Sequence, residues 1–168
     1  MSKTATYALI EGVTASGSTG TISFTSIPQT FTDLILVISA QSSNGQRQQY
    51  MEINADTTQK YSRTILSGTG TSAVSARNSN QFQTYLDYYG VVESTFPNIN
   101  ITHFMDYSNT TTFKTMLTRS NDTSLGLDAI VHLYQSTSAI SRIDIKLNTV
   151  NYASVSTFRL YGIQAGNA

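Results

Sequence analysis

Two consecutive strand-like blocks in residues 21–40 constrain the fold of this chain more than any other feature. In the first block Ile22 and Phe24 alternate with polar residues, whereas residues 34–38 form an unbroken apolar run of mostly branched side chains. Alternation is typical of a half-exposed strand, and an unbroken run of this length is typical of a strand buried on both faces. The sequence therefore predicts a layered β-protein with residues 34–38 at its centre.

Short alternating blocks recur along the chain, and none shows the three-and-four spacing of an amphipathic helix. The breaks between them contain both prolines, Pro28 and Pro97, whose missing N–H then interrupts no ladder. We expect an all-β, antiparallel two-sheet sandwich with little helix, for which a jelly roll is the favoured connectivity. About ten strands are predicted, within residues 7–13, 21–25, 34–41, 48–54, 61–66, 81–89, 99–107, 113–119, 127–135, 140–147 and 155–163.

A chain of 168 residues is long enough for one domain with a substantial core. We expect an N-terminal arm over residues 1–6, a single sandwich domain over residues 7–163 and a C-terminal tail over residues 164–168. Residues 67–80 have almost no apolar periodicity, which predicts a long exposed loop near the middle of that domain.

Composition excludes several classes of function. The absence of cysteine removes thiol catalysis, thiolate metal sites and disulfides. Ten basic residues, scattered singly, balance ten acidic ones, so no basic face for nucleic acid is predicted. No run of 18 apolar residues and no signal-like N-terminus is present, so we expect no membrane partner and synthesis in a cytoplasm. The 25 threonines and 22 serines predict a neutral, hydroxyl-rich surface suited to an assembly or a neutral ligand.

The two histidines do not suggest a catalytic or metal centre. His103 shares the apolar side of its strand with Ile99 and Ile101, which predicts a histidine of the core or of an interface. His132 alternates in phase with Asp128, on the side expected to face outwards, so the two histidines are expected on opposite faces. No Gly-x-Ser-x-Gly elbow and no His-x-His pair accompanies them.

Carboxylates offer no selected pair for glycoside hydrolysis and only weak calcium candidates. Spacing does not distinguish among the acids considered, which are Asp87, Glu93, Asp106, Asp128 and Asp144. Calcium would need several oxygen ligands close together, and residues 54–56 and 121–122 supply only two each. No cofactor, metal site or catalytic residue is therefore predicted.

Aromatic residues are densest around residues 85–89. Tyr85, Tyr88 and Tyr89 lie beside Asp87, a combination that can recognise sugars or pack against a neighbouring subunit. For Tyr89 and the nearby Val91, Val92 and Phe96, contact with a partner and packing in the core are both open.

Three stretches carry a resemblance to a known family: YALI at residues 7–10, ISFTSIPQTFTDL at residues 22–34 and STFRLYGI at residues 156–163. With these, the chain resembles a family of small virion structural proteins of tailed bacteriophages, common among phages of aquatic bacteria and cyanobacteria. The resemblance runs from about Tyr7 to Ile163 and is looser in the middle. It implies a β-sandwich used as a capsid decoration (cement) protein, a tail or fibre component or a receptor-binding tip, and it supplies no catalytic residues.

Among these roles capsid decoration is favoured, because one compact domain lacks the coiled-coil or repetitive shaft of a fibre. The expected partners are the major capsid protein and copies of the chain itself, with a homotrimer favoured, and the expected location is the virion. The alternative is a tail-fibre or tail-tip protein that binds host surface carbohydrate. Candidate partner contacts are Ser2, Lys3, Thr4, Tyr88, Tyr89, Val91 and Phe96.

Overall fold

A computed structural model describes residues 6–164 and shows an all-β protein. These residues form twelve strands and contain no helix, and hence no helix that could span a membrane. The strands are β1 (Tyr7–Thr14), β2 (Thr21–Phe24), β3 (Asp33–Ala40), β4 (Gln49–Ile53), β5 (Tyr61–Gly68), β6 (Ala73–Gln81), β7 (Thr84–Tyr85), β8 (Asn98–Met105), β9 (Lys114–Asp122), β10 (Gly126–Tyr134), β11 (Ile143–Leu147) and β12 (Thr157–Ile163).

The strands form two antiparallel sheets, which confirms the predicted fold class. The large sheet has eight strands in the order β1-β12-β3-β8-β9-β10-β5-β6, and the small sheet has four in the order β2-β11-β4-β7. From β1 to β5 the chain changes sheet at every connection, and it does so again around β7 and β11. Neighbours within a sheet are therefore often distant in sequence, as in jelly rolls.

The core lies between the two sheets. The large sheet contributes Leu36 and Phe104, the small sheet contributes Phe24 and Ile145, and all four side chains are fully buried. In β11, Ile143, Ile145 and Leu147 all point into this core. Both prolines lie between strands, as predicted.

The prediction that residues 34–38 are buried on both faces is wrong. Within residues 34–38 only Leu34, Leu36 and Ile38 are buried, whereas Ile35 and Val37 are half-exposed on the far side of the sheet. The unbroken apolar run arises because the solvent-facing side of this sheet is itself apolar.

Two boundaries near the middle of the chain also differ from the prediction. The expected loop at residues 67–80 is mostly strand β6, an edge strand whose side chains are largely exposed and so show no apolar periodicity. Conversely, the strand predicted at residues 81–89 is reduced to the two residues of β7. An irregular segment, residues 86–97, connects β7 to β8 and lies against the inner side of the large sheet.

Strands β8 and β10 have the predicted alternation with the two faces exchanged. Asn98, Asn100 and Thr102 point inwards and are buried, while Ile99 on the opposite side is 38% exposed. The same holds in β10, where His132 is fully buried and Val131 is 49% exposed. The expectation that the apolar side of these strands faces the core is therefore wrong, as is the outward placement of His132.

Candidate functional site

The buried carboxylate of Asp128 explains part of this exchange of faces. Its oxygens accept hydrogen bonds from the backbone N–H groups of Tyr88 (2.7 Å), Tyr89 (3.1 Å) and Gly90 (2.8 Å). The hydroxyls of Ser67 and Ser120 donate to it as well, at 2.5 and 3.0 Å. Burial alone raises the pKa of Asp128, but these donors favour the ionised form and leave the pKa below its usual value.

Neighbouring polar side chains bind the carbonyl groups of the same irregular segment. Asn98 donates to the carbonyl of Gly90, Asn100 donates to that of Leu86 at 2.9 Å, and Arg63 donates to that of Asp87 at 2.9 Å. Because these carbonyl groups accept from side chains and the segment forms no ladder with the large sheet, its buried backbone depends on those side chains. The polar inner side of β5, β8 and β10 supplies them.

Gly90 fits this arrangement because it has no side chain. A Cβ at this position would lie 2.8 Å from Ser120 Oγ and 2.9 Å from the backbone nitrogen of Asn121. We expect Gly90→Ala to lower the free energy of unfolding by about 1–3 kcal/mol, measured by urea denaturation. Gly68→Ala is the control, since its Cβ would meet nothing within 4 Å. An equal effect of both variants would contradict the tight approach.

His132 lies among the polar side chains on the inner side of the large sheet and is held neutral. Its Nδ1 lies 2.7 Å from Thr84 Oγ1 and its Nε2 lies 2.9 Å from Thr118 Oγ1, so both ring nitrogens have a hydroxyl partner. Burial, together with the nearby Arg63 charge, lowers the pKa of His132 to about 3. The ring therefore joins β7 to the large sheet.

His103 lies on the opposite face of the large sheet, so the two histidines are separated as predicted. Its Nε2 is 2.9 Å from Asp33 Oδ2, and Asp33 Oδ1 also accepts the backbone N–H of Asp106. This pair fixes the start of β3 against the end of β8.

Two further acids are bound by side chains close to them in sequence. Asp144 is bound by Arg142 at 2.8 Å, and Asp122 accepts from Ser124. At residues 54–56, which were considered for calcium, Lys60 forms a salt bridge with Asp56, and the side-chain oxygen of Asn54 accepts the backbone N–H of Ser141. Within residues 6–164 no group of three or more His, Cys, Asp or Glu residues is placed to hold a metal ion.

The predicted contact residues are distributed unevenly. Ser2, Lys3 and Thr4 lie outside the described residues. Tyr88 and Phe96 are 36% and 51% exposed, whereas Tyr89 is half-buried and Val91 is buried. The rings of Tyr88 and Tyr89 meet edge to face, with centroids 5.1 Å apart.

A second surface, which the sequence reasoning did not identify, is the side of the large sheet that points away from the small sheet. We call this side the outer face. Of the twelve large apolar side chains that are exposed in the described residues, seven project from it. These seven are Tyr7, Leu9, Leu66, Ile99, Leu117, Leu127 and Val131.

The middle of the outer face is concave. It contains a groove of about 710 Å³, which is lined by the half-exposed Ile35 and Ile101 and by the exposed Leu66, Leu117 and Val131. Cross-strand pairing brings these residues together, since Ile35 aligns with His103, which aligns with Leu117, which aligns with Val131. An exposed apolar surface of this kind is typical of a site that contacts another molecule.

Comparisons with known proteins add no family. No family model and no curated protein matches the chain. A solved structure, that of a protein of unknown function from Shewanella oneidensis MR-1, aligns with 99% of this chain and 79% of its own length, with a TM-score of 0.24 and 10% identity.

Proposed function

We propose that this chain is a non-enzymatic phage virion structural protein, a capsid decoration protein that binds the outer shell and stabilises contacts between capsomers. The observation that carries the proposal is the apolar outer face, where seven large side chains are exposed on one side of a rigid sheet. The sequence resemblance to virion proteins supports the same role.

The outer face is large enough for a stable protein interface. Eight strands at ~4.8 Å spacing span about 34 Å, and strands of about eight residues span about 25 Å, which together give roughly 850 Å². Specific interfaces bury about 800 Å² on each partner. A subunit that binds only the assembled shell stabilises it by mass action, and many copies multiply the effect. The homotrimer stays a prediction.

The proposal predicts that polar substitutions on the outer face abolish attachment and preserve the fold. The double variant Leu66→Ser/Leu117→Ser alters side chains that are 59% and 44% exposed, so the thermal midpoint is expected to shift by less than about 3 °C. Binding to purified shells stripped of this protein, measured by co-sedimentation, is expected to fall at least about tenfold.

The matched control is Phe113→Ser/Val155→Ser, which removes apolar side chains 54% and 64% exposed outside the strands of the outer face. This control should bind like the wild type. Equal binding by all three proteins would reject the outer face as the attachment surface, and absence of the protein from shells of its own phage would reject the proposed function.

The alternative role, a tail-tip protein that binds host surface carbohydrate, draws on one observation: Tyr88 and Phe96 expose aromatic rings from the same irregular segment. Sugars stack on such rings. A glycan array distinguishes this role, because a specific signal that disappears in Tyr88→Ala/Phe96→Ala would favour the tail tip over the shell.

A further inference from the structure

The outer face carries an uneven charge. By strand register, three arginines point to the outer face: Arg77, Arg119 and Arg159. Among the described strand residues that point to this face, the one carboxylate is Asp33. Asp33 is already engaged by His103 at 2.9 Å and by the backbone N–H of Asp106 at 2.8 Å. The arginines are exposed, so this apolar face is also basic although the whole chain has a formal net charge of zero.

Two of these arginines are positioned on either side of an apolar stretch of the outer face. Arg159 aligns across the sheet with Val37, which aligns with Ile101, which aligns with Arg119. Three strand spacings separate the two arginines, which corresponds to about 14 Å between their backbones. A ligand lying along this row would meet a cation, an apolar stretch and a second cation.

This charge pattern disfavours a second copy of the chain as the occupant. A two-fold face-to-face pair would bring arginines towards arginines, and the single carboxylate of the face is already paired. The shape disfavours a lipid bilayer, because Ile35 and Ile101 line a concave groove that a flat surface would not fill.

We propose that the outer face binds a protein surface that presents a protruding apolar ridge flanked by two carboxylates, which pair with Arg119 and Arg159. The inference rests on the proposed function, in which that surface belongs to the capsid shell. The ridge fills the groove and supplies affinity, whereas the two ion pairs fix its position, since guanidinium groups bind carboxylates in a defined geometry.

Site-specific photo-crosslinking tests this inference in infected cells. A photoreactive amino acid replaces Val131, which lines the groove, or Val155, which is 64% exposed outside the strands, as the control. Mass spectrometry of the adducts identifies the crosslinked peptide. The Val131 position should yield a peptide with large apolar side chains and neighbouring Asp or Glu, and the Val155 position should not yield that peptide.

Arginine variants test the ion pairs in the same experiment. Arg119→Gln and Arg159→Gln are each expected to lower the crosslinking yield about tenfold, while Arg119→Lys and Arg159→Lys retain the charge and should retain most of the yield. Unchanged yield in both glutamine variants would overturn the proposed pairing.

The outcomes separate this inference from the proposed function. A shell peptide of the expected chemistry supports both. A peptide of that chemistry from another protein supports the docking surface and rejects the capsid role. An adduct with the chain itself, with lipid or with a peptide lacking carboxylates, or no adduct, overturns the inference, and the capsid role then survives only if the protein is still found on purified shells.

Discussion

Replacing Asp128 with Asn is expected to lower the free energy of unfolding by about 3 kcal/mol, because an amide cannot accept all the hydrogen bonds that the carboxylate accepts. Three backbone N–H groups and two hydroxyls converge on Asp128, and an Asn would turn an NH₂ group towards some of these donors. Thermal denaturation should show a midpoint lower by about 6–12 °C for a domain of this size.

Asp87→Asn is the matched control, because this second buried carboxylate has a different environment. Asp87 accepts one hydrogen bond, from the backbone N–H of Gln49 at 2.8 Å, and its other oxygen has no partner. Burial raises the pKa of Asp87 well above its usual value, which the Gln49 donor and the Arg63 charge offset only in part. Its conversion to an amide should cost less than about 1 kcal/mol. Equal losses for the two variants would contradict the role assigned to Asp128.

Stability should fall as the pH is lowered through the range in which His132 stays neutral only in the folded state. The pKa of His132 is lowered from 6.5 to about 3, so between these values the unfolded chain binds a proton that the folded protein excludes. The share of the free energy of unfolding that comes from His132 is fully present above pH 6.5 and is lost towards pH 3, at about 1.4 kcal/mol per pH unit. Urea denaturation should therefore give a free energy of unfolding about 2 kcal/mol lower at pH 5 than at pH 7 from this group.

His132→Gln isolates the contribution of the imidazole, because a glutamine can still meet the hydroxyls of Thr84 and Thr118 but does not titrate. Other groups, including Asp87 and Asp128, titrate in both proteins and cancel in the difference. The difference in the free energy of unfolding between the wild type and the variant should vary with pH by the amount stated above. A constant difference would show that His132 is not the source.

The sequence predicted strand positions well because one-sided burial leaves a period of two in most strands. Alternation located strands such as β2, β8 and β10 to within a few residues. It failed at β6, since an exposed edge strand needs no apolar side. It also overestimated β7, because residues such as Leu86 and Asp87 are buried without belonging to a ladder.

The direction of the faces could not be predicted from alternation. Local periodicity is the same whether Asn98, Asn100 and His132 point inwards or outwards. The choice depends on contacts across more than thirty residues, such as Asp128 with Tyr88, and on how the irregular segment satisfies its backbone. The outer face was missed for this reason, because the apolar side of a strand, such as that of Ile99 and Ile101, is expected to face the core.

Electron cryomicroscopy of the virion tests the outer face as the docking surface most directly. The proposed capsid role predicts density for many copies of the sandwich on the shell, each with Leu66, Leu117 and Val131 covered by capsid protein and with Arg119 and Arg159 beside carboxylates. Copies confined to the tail, or copies on the shell whose outer face points to solvent, would contradict it.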